Sequence, residues 1–315
     1  MRVLVIGGTN FIGPHVVRRL NRANHEATVF NRGQTRSDVS RIPESIDHII
    51  GDRKNLPEFA ERFERLAPEV VLDMIPMNEQ HAKALVDTFS GIADRIVAIS
   101  SQDVYRAYDI VRRRHPGPPD PVPLSENSPL REKLYPYGRE GVEEYEKILV
   151  EKAVMGNSSI PGTVLRLPAV YGPGDYQHRL FPYLKRMDDG QPKILVEEGM
   201  AQWRWTSGYV ENVADAIALA TTDGRAAGRI YNVGEPDTPP WSEWIRQIGH
   251  VANWSGEIVE APSDSMPEDL RYGGNFSQHL TVSTSLIRQE LGYSEKISRE
   301  EALHRTIAWE RESPP

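Results

Sequence analysis

Cysteine is absent from the 315 residues of this chain. The protein therefore cannot form a disulfide framework, bind zinc through thiolates or use a cysteine nucleophile. We expect no metal site. A chain without disulfides fits a reducing compartment, and we expect a cytoplasmic protein.

Long apolar runs are also missing. The first apolar run, residues 3–6, ends at Gly7 and is shorter than the roughly 7 residues that a signal-peptide core requires. No other run approaches the roughly 20 apolar residues of a membrane span. The sequence therefore predicts neither secretion nor a place in the membrane.

Positive charge is scarce, because 37 Lys and Arg face 45 Asp and Glu and give a formal net charge of -8. Binding along nucleic acid depends on clustered cations, so we expect no nucleic-acid partner. Glycine and proline, at 24 each, are used as in ordinary globular proteins. A small-molecule partner is the better expectation.

Short β-branched runs alternate with amphipathic segments along most of the chain. The predicted strands are residues 2–6, 27–30, 47–50, 70–73, 95–99, 163–167 and 229–233. The predicted helices are residues 11–20, 56–66, 80–89, 142–155 and 213–220. Strict alternation with right-handed crossovers predicts an α/β fold with a doubly wound parallel, Rossmann-like sheet.

The pattern also suggests a division into two domains. Residues 1–170 are expected to form a dinucleotide-binding domain to which residues 206–234 return. Residues 171–205 and 235–315 are richer in proline, tryptophan and turn residues, and we assign them to a smaller C-terminal substrate-side domain.

Residues 106–136 have no periodicity and are expected to form a long proline-rich loop. Its basic triplet, residues 112–114, either meets a phosphate or is simply solvated.

A glycine-rich turn separates the first predicted strand from the first helix. Glycines at such a turn let the backbone approach a pyrophosphate, and the helix N-terminus faces its charge. The expected cofactor-binding residues of the turn are Gly7, Thr9, Asn10, Phe11, Ile12 and Gly13.

This segment resembles the GxxGxxG fingerprint of the extended short-chain dehydrogenases/reductases, the family that contains nucleotide-sugar epimerases and dehydratases. Asn10 stands at the middle glycine. Asn tolerates a positive φ better than most residues, so we expect Asn10 to replace that glycine in the turn. The resemblance implies a nicotinamide dinucleotide cofactor and a homodimer formed through two helices of each subunit.

The end of the second strand bears on which dinucleotide is bound. It reads Asn31-Arg32 and carries no carboxylate, which an NAD site would place against the ribose hydroxyls. Arg32 can pair with a 2′-phosphate instead, so NADP is expected, with NAD as second choice. Asp52 resembles the family's adenine-contacting acid, although a solvated turn is nearly as good an interpretation.

The segment 99–105 resembles the family's SSxxVY pattern, in which the catalytic hydroxyl corresponds to Ser101. The family's Tyr-x-x-x-Lys pair is harder to place. Tyr137 begins a segment like the family's YGxSK, but Gly141 stands where the lysine belongs. A second register, with Lys147 as the cofactor lysine, matches the family's K-x-x-x-E helix and puts Glu143 four residues before the lysine.

Tyr145 lies two residues from Lys147, about 200° around a helix, and is therefore not expected to share its face. Three possibilities remain open. Glu143 acts as acid or base beside Lys147, Tyr137 reaches the site from the preceding loop, or the site is catalytically silent.

On the substrate side, residues 165–174 resemble the family's LRPxxVYGPG, and residues 203–213 resemble its RDFxYVDDV. Arg179 and Arg204 are the expected substrate contacts. Trp203 and Trp205 either belong to that site or pack at the domain seam.

Two functions remain in competition. The first is an NAD(P)-dependent oxidoreductase, epimerase or dehydratase acting on a nucleotide sugar or a related polyol. The other is a silent dinucleotide-binding sensor or scaffold, which the resemblance extends to RNA-associated relatives.

Overall fold

The computed structural model of the protein describes residues 1–34, 42–43, 45–138 and 144–315. Its strands are β1 Arg2–Ile6, β2 Glu26–Asn31, β3 Asp47–Ile50, β4 Val70–Asp73, β5 Arg95–Ser101, β6 Gly162–Leu167, β7 Ala169–Tyr171, β8 Lys193–Glu197, β9 Ser207–Tyr209, β10 Arg229–Asn232 and β11 Glu257–Ala261. Its helices are α1 Ile12–Arg22, α2 Ala60–Leu66, α3 Glu79–Phe89, α4 Arg106–Val111, α5 Lys147–Gly156, α6 Phe181–Asp188, α7 Glu198–Gln202, α8 Val210–Thr222, α9 Trp241–Val251, α10 Ser285–Leu291 and α11 Arg299–Glu312.

Seven parallel strands form the central sheet, in the order β10-β6-β5-β4-β1-β2-β3. The strand order reverses between β1 and β4, where a crevice opens at the carboxyl ends of the strands. The predicted doubly wound parallel sheet is confirmed.

Both faces of this sheet are covered, as the first strand illustrates. Val3 and Val5 belong to one buried apolar cluster, whereas Leu4 and Ile6 belong to another. Successive side chains of a strand point to opposite faces, so a continuous apolar strand needs helices on both sides.

Later parts of the chain return to this sheet. Strand β10 adds to its edge beside β6, and α8 lies against α1 through ion pairs from Arg19 to Glu211 and Asp215. Strands β8 and β11 form a separate two-stranded sheet, and β7 and β9 form another. Within the described ranges, every helix is too short or too polar to cross a lipid bilayer.

Three segments differ from the sequence prediction. The helix predicted over 56–66 is 3-10 helix as far as Phe59, and α2 begins at Ala60. The expected loop 106–136 contains the short helix α4, whose apolar residues Ala107, Ile110 and Val111 are buried. Six residues are too few to give a clear helical period. The helix predicted over 142–155 begins only at Lys147, because Glu146 has extended backbone and its side chain accepts a hydrogen bond from the amide of Ile148.

Candidate active site

The glycine loop is fitted tightly between β1 and α1. Gly7 and Gly8 have φ of 89° and 78°, in the left-handed region that favours glycine. A Cβ added to Gly13 would lie 2.3 Å from the Cα of Gly8. The loop therefore has no room for side chains at its two ends, and its backbone is left open to the cleft.

Among the loop residues other than glycine, Phe11 and not Asn10 has a positive φ. Phe11 has φ of 44°, and the carbonyl oxygen of Asn10 accepts a hydrogen bond of 3.0 Å from the amide of Gly13. The expectation that Asn10 takes over the left-handed position is therefore wrong. The Phe11 ring is nearly buried and meets the Tyr176 ring edge-on at 6.3 Å, so packing holds this strained conformation.

The loop borders a cleft of about 720 Å³ at the carboxyl ends of the strands. Of the predicted cofactor residues before β4, only Gly13 does not line the cleft, because it packs against the backbone of Gly8. The others line it: Gly7, Thr9, Asn10, Phe11, Ile12, Asn31, Arg32 and Asp52. The bare glycine backbone, the N-terminus of α1 and the position of the cleft at the carboxyl ends of the strands fit a dinucleotide.

The far end of the cleft carries the residues that bear on cofactor preference. Arg32 is exposed at the rim. The Asn31 side chain accepts a 2.6 Å hydrogen bond from the amide of Gly33, which closes the turn after β2. Asp52 accepts a 2.9 Å hydrogen bond from the amide of Lys54 and so caps a turn of 3-10 helix.

Ser101 ends β5 and lines the same cleft. Lys147, the first residue of α5, is buried behind it and donates to the carbonyl oxygens of Pro76 at 2.7 Å and Ile99 at 2.9 Å. Burial lowers the pKa of Lys147 to about 8, against the opposing charges of Asp73 and Asp103.

The expectation that Tyr145 lies away from Lys147 is wrong. Because α5 begins only at Lys147, helical spacing does not apply to Tyr145, and the Lys147 Nζ atom lies 5.6 Å from the centre of its ring. The Ser101 side chain lies close enough to Tyr145 to lower its pKa, against the larger effect of burial. A tyrosine, a serine and a lysine therefore meet here without the Tyr-x-x-x-Lys spacing.

Asp103 joins this group, and sequence reasoning missed it. Its Oδ2 atom accepts hydrogen bonds from the hydroxyls of Tyr145 at 2.8 Å and Tyr137 at 3.0 Å. Burial raises the pKa of Asp103, although both phenols and the charges of Arg131 and Lys147 oppose the rise. The signal available in the sequence was its position two residues after Ser101.

Tyr137 belongs to the outer part of the cluster. It is 41% exposed, its hydroxyl lies 3.0 Å from that of Tyr108, and the Arg112 guanidinium lies over its ring. Burial and the Asp103 charge raise the pKa of both Tyr137 and Tyr145, so both phenols are neutral. Glu143, the other predicted acid or base, lies outside the described residues.

A second cavity, of about 540 Å³, lies beside the cleft and is lined mainly by aromatic side chains. Arg179 lines both cavities and is paired with Asp175 at 2.7 Å. Arg204 donates to the carbonyl oxygen of Thr238 at 2.6 Å and is not among the described residues that line either cavity. The structure thus brings Arg179, but not Arg204, to the predicted substrate side.

Residues 3–234 match the model of the NAD dependent epimerase/dehydratase family. The chain therefore belongs to this family, as its sequence motifs indicated.

Among curated relatives, the 2'-dehydrokanamycin reductase of Streptomyces kanamyceticus is 26% identical over 86% of this chain and 72% of its own length. The putative UDP-glucose 4-epimerase of Methanocaldococcus jannaschii is 23% identical over 98% and 97% of the two chains. Among solved structures, the UDP-glucose-4-epimerase of Stenotrophomonas maltophila, with bound NAD and formylated UDP-arabinopyranose, has a TM-score of 0.75 at 18% identity and covers 99% of this chain and 98% of its own. The structural likeness establishes the fold.

Proposed function

We propose that the protein is an NAD(P)-dependent oxidoreductase of the epimerase or dehydratase type that moves a hydride at a carbon of a polyhydroxylated substrate. The observation that carries the proposal is that Ser101 lines the cleft, while Tyr145 lies next to it in the fold with Lys147 over its ring and Asp103 on its hydroxyl. Family membership supports the cofactor class. The names of relatives support a nucleotide sugar or a related polyol as substrate.

The reacting oxygen would be held by Ser101 and Tyr145. A bound nicotinamide supplies or accepts the hydride at the substrate carbon. In the reducing direction, Tyr145 is neutral and donates its proton to the carbonyl oxygen, so the carbonyl becomes an alcohol. In the oxidising direction, the alcohol proton returns to the phenolate of Tyr145.

Asp103 gives Tyr145 a proton partner. Because its pKa is raised, Asp103 can hold a proton at a higher pH than an exposed aspartate can. The 2.8 Å contact lets the protonated carboxyl return a proton to the Tyr145 phenolate. Tyr137 then links Asp103 toward solvent. In this account Tyr137 belongs to the proton path, whereas Tyr145 contacts the substrate.

Lys147 has a different part. Two of its three N–H donors are used by Pro76 and Ile99, which fixes the ammonium group and leaves one donor for a cofactor hydroxyl. Its positive charge under the Tyr145 ring also stabilises the phenolate that forms when Tyr145 gives up its proton.

Two observations bear on the remaining choices. The exposed Arg32 and the absence of a carboxylate in the described part of the turn after β2 support NADP over NAD. The Ser101–Tyr145–Lys147 group supports catalysis over a silent sensor or scaffold, because a protein that only binds the cofactor needs no tyrosine hydroxyl at the reacting end.

The proposal is tested by turnover of a panel of nucleotide sugars and non-nucleotide ketones and polyols, with products followed by proton NMR because an epimerase changes no net cofactor. Tyr145→Phe is expected to lower kcat by a factor of about 10²–10⁴, the usual contribution of a positioned acid. Tyr137→Phe, the matched variant on the other side of Asp103, is expected to lower kcat less. Equal activity of Tyr145→Phe and the wild type would contradict the assignment.

A further inference from the structure

The cavity beside the cleft, which we call the aromatic pocket, has a composition that restricts the substrate. Its rings come from distant parts of the chain. They include Tyr171, Tyr183, Trp203, Trp205, Trp241 and Phe276. We infer that this pocket takes an uncharged ring attached to the reacting polyol, so that the substrate is a glycoside-like molecule and not a nucleotide sugar. The inference rests on the proposed function, because it concerns the same substrate.

Three tryptophans and Phe276 form a continuous group of rings in this pocket. Trp203 contacts Trp205 and Trp241 with ring centres 5.5 and 6.1 Å apart, and Trp205 stacks on Trp241 at 6.4 Å. Phe276 meets Trp203 at 5.7 Å. Four of the six tryptophans of the chain line this cavity, so ring faces are its main contact surface.

The polar ends of several rings are already engaged with the protein. The Trp241 Nε1 atom donates to the Tyr183 hydroxyl at 2.8 Å, and the Trp203 Nε1 atom donates to the carbonyl oxygen of Gln278 at 2.8 Å. The Tyr171 hydroxyl donates to Glu235 at 2.9 Å. These groups orient the rings and offer few hydrogen bonds to a ligand.

Charge is equally limited. Among the described residues that line the aromatic pocket, the charged side chains are Arg112 and Arg179. Arg179 is neutralised by Asp175, and Arg112 donates to the carbonyl oxygen of Pro136 and lies over the rings of Tyr108 and Tyr137. A diphosphate would meet one uncompensated guanidinium.

A nucleobase could stack on these ring faces, but the lining offers few partners for the polar edge of the base. Each of its buried donors and acceptors that finds no partner costs about 1–3 kcal/mol, whereas an uncharged ring gains about 25 cal/mol for each Å² that it buries. Arg179 lines both cavities, so a ring in the aromatic pocket extends toward the cleft where the polyol reacts. The chemistry of the lining therefore favours an apolar ring over a nucleotide.

Isothermal titration of the protein saturated with NADPH tests the inference with three probes: phenyl β-D-glucopyranoside, methyl β-D-glucopyranoside and UDP. The two glucosides share one sugar, so the ratio of their affinities reports on the ring alone. We expect the phenyl glucoside to bind at least about tenfold more tightly than the methyl glucoside, and more tightly than UDP. Equal affinities, no saturation by the phenyl glucoside, or tighter binding of UDP would overturn the inference.

Variants locate the effect. Trp205→Leu is expected to reduce the phenyl preference to within about threefold while NADPH affinity stays unchanged, because Trp205 lines only the aromatic pocket. Trp254→Leu is the matched control, since Trp254 lies outside this pocket and donates to the Gln191 carbonyl oxygen. If Trp205→Leu does not fold, Trp241→Phe serves in its place.

The two proposals fail differently. If neither NADPH nor NADH binds the wild-type protein, the proposed function fails and this inference falls with it. If a dinucleotide binds and the phenyl preference is absent, or persists unchanged in Trp205→Leu, only the inference about the aromatic pocket is wrong.

Discussion

At the scale of single residues, the site depends on charges that are buried beside one another. Lys147 is held by two carbonyl oxygens, and Asp103 is held by two phenols. Burial shifts both groups toward neutrality, raising the pKa of Asp103 and lowering that of Lys147 to about 8. Groups with pKa values shifted in this way are suited to proton transfer near neutral pH.

The pKa of Lys147 gives a test with a defined sign. Lys147 is charged below about pH 8, so dinucleotide affinity is expected to be constant there and to fall by up to about tenfold per pH unit above it. Lys147→Met should show weak affinity and no such limb. Fluorescence titrations with NADPH at several pH values measure both.

The same lowered pKa makes the folded protein more stable, and not less, as pH rises. A lowered pKa means that the folded state carries a penalty while Lys147 is charged, and this penalty is relieved as pH rises from about 8 to 10.5. The free energy of unfolding of the wild type, relative to Lys147→Met, should therefore rise over that window. A difference that stays flat would contradict the burial argument.

Tyr145 shows why this part of the site was not predictable. The apolar pattern of residues 142–155 placed the start of the predicted helix several residues before its real start. Helical spacing applied to those residues then separated Tyr145 from Lys147. The real start is set by Glu146, whose carboxylate is paired with the buried Arg131 at 3.0 Å, fifteen residues earlier. A contact between such distant positions leaves no local periodicity. Ser101 and Lys147 could be proposed from the sequence because their motifs are continuous in it.

At the scale of elements, the turn from β1 into α1 leaves no space for a side chain at Gly13. Gly13 is the first-turn residue of α1 that touches the backbone of Gly8, so Gly13→Ala must push the loop and the helix apart. We expect loss of dinucleotide binding and a lower melting temperature. Gly156→Ala is the control, because no atom lies within 4 Å of a Cβ at that position and its φ is not positive.

Helix α5 is fastened to β6 by a buried ion pair. Arg166 donates to Glu151 at 3.0 and 2.7 Å, and the Ser100 hydroxyl donates to the same carboxylate at 2.6 Å. This contact fixes the helix whose first residue is Lys147. It also gives the matched K-x-x-x-E pattern a physical role, since Lys147 and Glu151 are one turn apart.

Removing one partner leaves an uncompensated buried charge. Glu151→Ala is expected to lower the free energy of unfolding by about 3–5 kcal/mol. Arg65→Ala, which removes the exposed pair with Glu61, is expected to change it by less than about 1 kcal/mol. Urea denaturation of both variants tests the contrast, and similar losses would show that α5 is not held in this way.

At the scale of the whole molecule, the alternation of strands and helices was enough to predict the parallel sheet, because its inner strands β1, β4, β5 and β6 are short and almost wholly buried. The aromatic pocket was not predictable, although Trp203 and Trp205 stood out. Its wall also needs Trp241, Trp244 and Phe276, which only the folded chain brings together. Arg204 stays a prediction as a substrate contact, and in the folded chain its guanidinium donates to the carbonyl oxygen of Thr238.

The account as a whole depends on a nicotinamide dinucleotide in the cleft at the switch between β1 and β4. The most direct measurement is a fluorescence titration of the cofactor-stripped protein with NADPH and with NADH, repeated on Arg32→Ala. We expect saturable binding of both, tighter for NADPH, with the preference lost in the variant as its 2′-phosphate partner is removed. Saturable binding of neither dinucleotide would contradict the account.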